Sequence, residues 1–431
     1  MQNIFTVSVD HIAHDGAAEA VVSGVPVRIH GMLPGEEGIV EAKKKHGLLV
    51  GTLKELTKAS PSRKTPEELH YLSCSPWQVM EYPLQAELKR QMIVDLFSYY
   101  TDAPRVEFTP AAQFYGYRTK VEFSFCDKDG EEAIPLSLAF HERGGGSRRL
   151  ALPKGCALAS ESMNRVALQI CDILREKGYT ARDLKTLIVR ESKSDGKLLA
   201  ILFAKKESIE EFDVSHIEGL TGFLVYHSTE KSPASVPTKG LWGLGDDHLS
   251  ETIEGISVRY SWDSFFQNNV PMFQQAVAVM KEHVQGNAHI LELYSGAGTI
   301  GLLLAKNARS VKGIEIVSGA VEASRVNAKV NDIENYEAEC LPAEAIDTTT
   351  FEGIDVLVLD PPRVGLHPKL LTLIAEARPK QIMYLSCNPE TQARDYSALS
   401  ELYRISLIQG FDFYPQTPHS ESLIILNLRQ G

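Results

Sequence analysis

The chain contains no uninterrupted apolar run near the roughly 18–20 residues needed to cross a bilayer. Its start, MQNIFTVSVDHIAHDG, lacks both a basic flank and a long apolar stretch, so no membrane partner is expected and the expected location is the cytoplasm. Cysteine is scarce: Cys74, Cys126, Cys156, Cys171, Cys340 and Cys387 are scattered along the sequence, which fits reduced thiols better than a disulfide framework. An excess of cationic charge is also missing. With 44 Lys and Arg against 56 Asp and Glu, the formal charge is -12, and indiscriminate adhesion to nucleic acid, which runs on cationic contacts with phosphate, is disfavoured. An RNA partner would need a local basic surface. Internal repeats and low-complexity tracts are absent too. What remains is an ordinary folded composition, 43% hydrophobic and 23% charged over 431 residues, and at about 100–200 residues per domain that implies two to three domains.

The texture changes along the chain. Residues 1–57 alternate short apolar stretches with turn formers such as His14-Asp15-Gly16 and Pro34-Gly35-Glu36, the pattern of a small antiparallel barrel. Lys43, Lys44 and Lys45 fall at one predicted hairpin tip, as a solvated turn or a phosphate contact. Residues 58–111 hold a linker rich in Ser, Pro and charge, then a helix over 84–99 with Leu88, Met92 and Leu96 on one side. Residues 112–262 mix strands (120–125, 136–140, 186–190, 198–203, 222–227) with a helix near 160–177, a central α+β region without a catalytic signature. From 263 to 431 apolar strands at 289–294, 311–316, 355–359, 381–385 and 406–411 alternate with helical segments. That rhythm predicts a doubly wound, largely parallel α/β sheet of Rossmann-like kind, with its ligands at the carboxyl ends of the strands.

Within this last region, His289-Ile-Leu-Glu-Leu-Tyr294 runs into Ser295-Gly296-Ala297-Gly298-Thr299-Ile300-Gly301. Glycines there let a ligand press against backbone amides at a helix start. Glu315, nineteen residues past Gly296 at the end of the next strand, can accept both hydroxyls of a ribose. The glycine pattern alone also suits a dinucleotide. The fourth strand separates the two, because Asp360-Pro361-Pro362-Arg363 sets a carboxylate in a stiff turn that cannot join the sheet. Such a turn is typical of S-adenosylmethionine-dependent methyltransferases acting on planar nitrogen-bearing substrates, and it opposes a nicotinamide-dependent oxidoreductase. The fifth strand delivers Cys387, in Ser386-Cys387-Asn388-Pro389, to the same edge between polar residues. Cys126, Cys171 and Cys340 read instead as small buried thiols. Glu421, in the proline-restrained stretch Gln416-Thr417-Pro418-His419-Ser420-Glu421, can serve as a base if burial raises its pKa; His419 reads as structural.

SGAGTIG, DPPR, SCNP and QTPHSE, in this order and spacing, closely resemble the bacterial RNA uracil-5-methyltransferase family, whose members act on 23S ribosomal RNA or the transfer-RNA T-loop. The resemblance spans nearly the whole chain: the N-terminal barrel looks like a TRAM domain (OB-like), including Leu33-Pro34-Gly35-Glu36, and Phe114-Tyr-Gly-Tyr-Arg118-Thr-Lys120 is similar to the family's YRNK-like segment. It implies Cys387 as nucleophile and Glu421 as the base that removes the C5 proton. It also implies Gln267, Tyr294, Glu315 and Asp360 as cofactor contacts beside Gly296, with Thr299 in the same cleft, Glu344 near the adenine, and Arg363 holding RNA or its own loop. Because a free thiol with pKa near 8.5 is only a few per cent ionised at neutral pH, the site is expected to lower that value. Attack from both faces requires the uridine to be flipped or taken from a loop, with Tyr117, Arg118, Lys120, Arg148 and Arg149 as candidate RNA contacts. The expected substrate is 23S ribosomal RNA, modified by a monomer. The alternatives are the transfer-RNA T-loop and, in another class, a TRAM-type RNA-binding protein without catalysis, which intact Cys387, Glu421 and Asp360 oppose.

Ribosomal-RNA members of this family commonly carry an iron–sulfur cluster on three clustered cysteines and a distant fourth. Here Cys74 retains one of the three, Glu68 stands where the first would fall, and Cys156 resembles the distant one. Two thiolates cannot hold a standard cubane cluster, so no cluster and no metal is expected, with Cys74 and Cys156 as relics or core residues.

Overall fold

The computed structural model describes residues 3–45, 47–101, 103–143 and 148–429; the side chain of Lys45 lies outside the description. Six short strands of residues 4–58 form one curled sheet in the order Ile4–Ser8, Glu37–Lys45, Leu48–Lys58, Val25–Ile29, Ala18–Val22 and His11–Ile12. Their alternation sends Val7, Val27, Ile29, Val40 and Ala42 to one interior, the period-two burial expected of a small barrel. Glu36 is buried where the LPGE turn closes, and Arg63 grips it at 2.6 Å and 2.8 Å. That pair fixes the exit of the barrel to the segment behind it.

A seven-stranded sheet follows, ordered Arg149–Ala151, Glu132–His141, Lys120–Asp129, Leu184–Glu191, Leu198–Ala204, Leu220–His227 and Lys239–Gly245. The helix Glu161–Glu176 packs on one face; Ser160 caps it by accepting the Met163 N–H at 3.1 Å, a contact that contributes about 1 kcal/mol. The strand Leu198–Ala204 is buried throughout. Ala200 and Leu202 point into this region's core, while Leu199, Ile201 and Phe203 point into the core of the C-terminal region. A continuous apolar run is what a strand buried on both faces requires.

The C-terminal sheet has eight strands, ordered Tyr336–Cys340, Ala308–Glu315, Ala288–Leu293, Val356–Leu359, Gln381–Ser386, Glu421–Leu428, Tyr403–Phe411 and Val106–Thr109. The first five are mutually parallel, and Glu421–Leu428 lies antiparallel to both its neighbours. The order reverses between Ala288–Leu293 and Val356–Leu359, the switch point at which doubly wound folds bind ligands. The predicted Rossmann-like architecture is therefore present. Three strands were not anticipated: Tyr336–Cys340, Glu421–Leu428, and Val106–Thr109, which joins the far edge from within the stretch read as linker and helix. Cys340 is exposed at its strand end, against the buried setting expected for it; Cys126 and Cys171 are buried. Among the described residues, no helix is long and apolar enough to cross a membrane.

Between the barrel and the sheets, the helix Tyr82–Phe97 carries Lys89 into a wholly buried ion pair with Asp412 at 2.6 Å. Asp412 also accepts from Tyr82 Oη at 2.9 Å, and Lys89 donates to the Tyr414 carbonyl at 3.0 Å. Every polar group of this pair is thus satisfied, which is the condition for burying two charges without a large penalty.

Candidate active site

A cavity of about 1120 Å³ opens over the carboxyl ends of the parallel strands. Its lining includes Gln267, Tyr294, Gly296, Glu315, Glu344, Asp360, Cys387 and Glu421. All the predicted site residues meet there except Thr299, which starts the helix Thr299–Ala305 behind Gly298 and is absent from the lining.

The glycine turn is held from below and from the side. Tyr294 adopts φ 64° and Gly296 φ 53°, a left-handed bend that is costly for tyrosine and suits a functional turn. Glu315 accepts the Gly296 N–H at 3.0 Å and the Val317 N–H at 2.8 Å. Under the turn, Glu292 accepts the Gly301 N–H at 3.1 Å. A Cβ at Gly301 would lie 2.3 Å from that carboxylate, so any larger residue would displace Glu292. Glu292 escaped the sequence reading, although a single acid inside the apolar strand 288–293 was a visible anomaly. Burial, with Asp360 adding to it, pushes its carboxyl up to about 8.

Asp360 leaves the fourth strand into the double-proline turn. Its Oδ2 accepts from Gln267 Nε2 at 3.3 Å, and Gln267 is held in turn by Thr119, whose hydroxyl donates to its carbonyl at 2.9 Å. Burial lifts the Asp360 carboxyl to about 7 against that hydrogen bond. Beyond the prolines, the Arg363 carbonyl accepts from Asn388 Nδ2 at 2.9 Å, and Leu366 N–H donates to Asp395 at 2.8 Å. The turn is latched to the helix Pro389–Leu399, which begins just after Cys387.

Cys387 lies one residue past the strand Gln381–Ser386, and Glu421 is the first residue of Glu421–Leu428 rather than a loop residue as expected. The two strands pair antiparallel with Ser386 opposite Ser422. Cys387 and Glu421 are each one residue beyond that last rung on neighbouring segments, and both line the same cavity. Tyr414 donates to Glu421 Oε1 at 3.3 Å, and Glu421 Oε2 is buried with no hydrogen-bond partner. Burial and then Asp360 push the Glu421 carboxyl well above the usual range.

The thiol behaves opposite to expectation. Burial, then Glu421 and Asp360, push Cys387 up to about 12, with Arg363 the opposing charge. A covalent role demands a thiolate, but the folded site surrounds the sulfur with acids. His419, at the rim of a second cavity and 3.4 Å from Arg363, is held down to about 4 by desolvation and then Arg363, so it is neutral near pH 7.

Cys387 and Arg363 also line this second cavity, of about 300 Å³, whose other walls include His14 and Asp15 of the barrel and Met92 of the helix Tyr82–Phe97. The sulfur stands between two spaces. Of the side chains expected to touch RNA, Tyr117 is buried and donates to the Pro415 carbonyl at 3.2 Å, and Arg149 donates to the Phe125 carbonyl at 2.6 Å. Arg118 Nε is buried and Lys120 is half-buried, whereas Arg148 is exposed beside Glu142 at 3.6 Å.

With this geometry in hand, a family model described as tRNA (uracil-5-)-methyltransferase matches residues 81–429. The chain belongs to this family. An RNA methyltransferase of Bacteroides thetaiotaomicron is 30% identical, the alignment covering 97% of this chain and 100% of the relative. One from Lactobacillus johnsonii is 29% identical, with 98% of each covered. Among solved structures, the Pyrococcus abyssi tRNA (uracil-54, C5)-methyltransferase in complex with S-adenosyl-L-homocysteine superposes with a TM-score of 0.80 at 25% identity, covering 98% of this chain and 100% of that one. The chain is thus an S-adenosylmethionine-dependent RNA methyltransferase of the tRNA (uracil-5-)-methyltransferase family. Its cavity suits that cofactor: Gln267 Oε1 is a buried acceptor without a partner, and carboxylates stand at two strand ends around a bent glycine turn.

Proposed function

We propose that this enzyme methylates C5 of an RNA uridine through a transient bond between Cys387 and C6. The observation that carries the reading is the register that sets Cys387 beside Glu421 in one cavity. Gln267, Tyr294, Gly296, Glu315, Glu344 and Asp360 would hold S-adenosylmethionine. When bound, that cofactor supplies an electrophilic methyl on a cationic sulfonium, whose charge favours ionisation of acids beside it.

The protein's own residues do the rest. Uracil C5 is a weak nucleophile. Addition of the Cys387 thiolate to C6 moves the C5–C6 π electrons into an enolate and makes C5 electron-rich. Once C5 carries the new methyl group, Glu421 takes the C5 proton, the C5–C6 double bond re-forms, and the C6–S bond breaks to return the thiolate. Oε2 of Glu421, without a partner, is the atom free to receive the proton. Tyr414 orients the other oxygen. Since one cavity holds the cofactor residues and the second borders the barrel, the uridine reaches the sulfur from the barrel side, flipped out of its stack. Residues 1–57 and 112–262 form the RNA clamp, and 263–431 the catalytic unit.

The favoured substrate is 23S ribosomal RNA, on the motif set and the TRAM-like barrel. A second reading, the transfer-RNA T-loop, is favoured by the full-length match to the Pyrococcus abyssi enzyme. Incubating the enzyme and methyl-labelled cofactor with each RNA, then mapping the labelled base, separates them. Replacing Glu421→Gln should accumulate an RNA adduct that survives denaturant; methylation retained by Cys387→Ala would remove the mechanism.

A further inference from the structure

Away from the catalytic cavity, four donor side chains converge: Glu68, His70, Cys74 and Cys156 place one ligand atom each within 4.8 Å of all the others. We propose that they form a mononuclear site for a zinc-type divalent cation, clamping the segment after the barrel to the central region. Two sulfurs, an imidazole and a carboxylate are the donor set of such ions. Bonds of about 2.0–2.3 Å in a tetrahedron give ligand separations of roughly 3.3–3.8 Å, so small side-chain rotations close the site. The expectation of no metal rested on two thiolates; His70 and Glu68, which stands where the first cysteine would fall, complete a donor set of four.

The surroundings are those of a built site. Glu68 Oε1 accepts the Ala157 N–H at 2.6 Å and Oε2 accepts from Gln78 at 2.9 Å, with Gln78 fully buried; ligand carboxylates are oriented by this kind of outer contact. His70 Nε2 lies 3.0 Å from Glu68 Oε1 yet is buried without a directed hydrogen bond. On the other side of the site, Asn164 brackets Cys156, accepting its N–H and donating to its carbonyl, both at 2.9 Å. A cubane cluster does not fit, since only two sulfurs are present.

The position matters because Trp77 follows Cys74 closely. Its backbone N–H donates to the Gln416 carbonyl at 3.1 Å and its indole N–H to the Gly16 carbonyl at 2.9 Å. The cation would therefore stiffen the joint between barrel, linker and the stretch leading to Glu421.

The test uses the full chain, stripped by chelator and titrated with Co²⁺. One equivalent should give the near-ultraviolet thiolate-to-cobalt band and the visible d–d absorption of a tetrahedral ion, and Zn²⁺ should abolish both. Metal analysis of the untreated chain should find about one zinc per chain. Cys156→Ser and the milder Glu68→Gln should lose or shift the cobalt spectrum, while Cys340→Ser, an exposed remote thiol, should leave it intact. A titration without a thiolate band in the unaltered chain overturns the proposal, as does a band unchanged in Cys156→Ser, or stoichiometric iron with sulfide. These readouts are independent of methylation, so they stand or fall apart from the proposed function.

Discussion

Two cysteines in this chain sit in surroundings of opposite sense. Cys387 faces Glu421 and Asp360 and is pushed up to about 12; Cys156, beside Cys74, His70 and Glu68, is pushed down to about 6 chiefly by its contact with Cys74, whose own thiol that contact pushes up. The first site keeps its sulfur protonated until ligands alter the local charge. In the second, one sulfur gives up its proton more readily because its partner thiol holds on more tightly. The same side chain thus meets two different environments, set by the charges its neighbours bring.

The strongest way to break the comparison is to remove one sulfur and ask whether the other site notices. Cys387→Ala should abolish methyl transfer to the background rate while leaving cofactor affinity and cobalt binding at their original levels, as measured by calorimetry and absorption. Next in size is reactivity. A thiol with pKa near 12 has about one part in ten thousand as thiolate at pH 8, so alkylation of Cys387 in the ligand-free enzyme should rise about tenfold per pH unit between pH 8 and 11. Levelling near pH 9, read by mass spectrometry of the Cys387 peptide, would contradict the acidic surroundings.

A smaller effect should come from the support of the catalytic loop. Lys89→Met leaves Asp412 buried and unpaired, and should lower the unfolding free energy by about 3–5 kcal/mol in denaturant titration. Asp360→Asn sharpens the electrostatic half of the comparison. The folded pKa of Asp360 is raised from 3.8 to about 7, so its favourable contribution is complete below about pH 4 and disappears as pH rises through 7. The asparagine variant, lacking this titration, should gain on the unaltered chain by about 2–4 kcal/mol between pH 4 and pH 8. Parallel melting temperatures at both pH values would show that the carboxyl is solvated.

What could be read in advance was local. The glycine turn, the double-proline turn and the apolar strands around them each declare themselves within about ten residues, and all of them stand where the alternation put them. The strand Glu421–Leu428 was less legible because its run ESLIILNL follows a proline-bound stretch and enters the sheet antiparallel, between strands formed earlier in the chain. Val106–Thr109 is only four residues long and pairs with Tyr403–Phe411 across most of the sequence. The direction of the Cys387 shift was invisible for the same reason: it depends on Glu421 and Asp360, which only the folded sheet brings near. Tyr117 and Arg149 carry the residue types of an RNA surface, but their partners are carbonyls inside the protein.

The antiparallel rung at Ser386 and Ser422 turns the spacing of the proposed nucleophile and base into a matter of counting. Side chains alternate faces along a strand, so one residue inserted between 412 and 428 that slips the ladder would rotate the acid away from the sulfur, and a second would bring it back displaced by a full pleat. Insertion scanning of that hairpin should therefore show activity governed by parity, a jig cut in whole peptide units rather than a distance adjusted by a hinge.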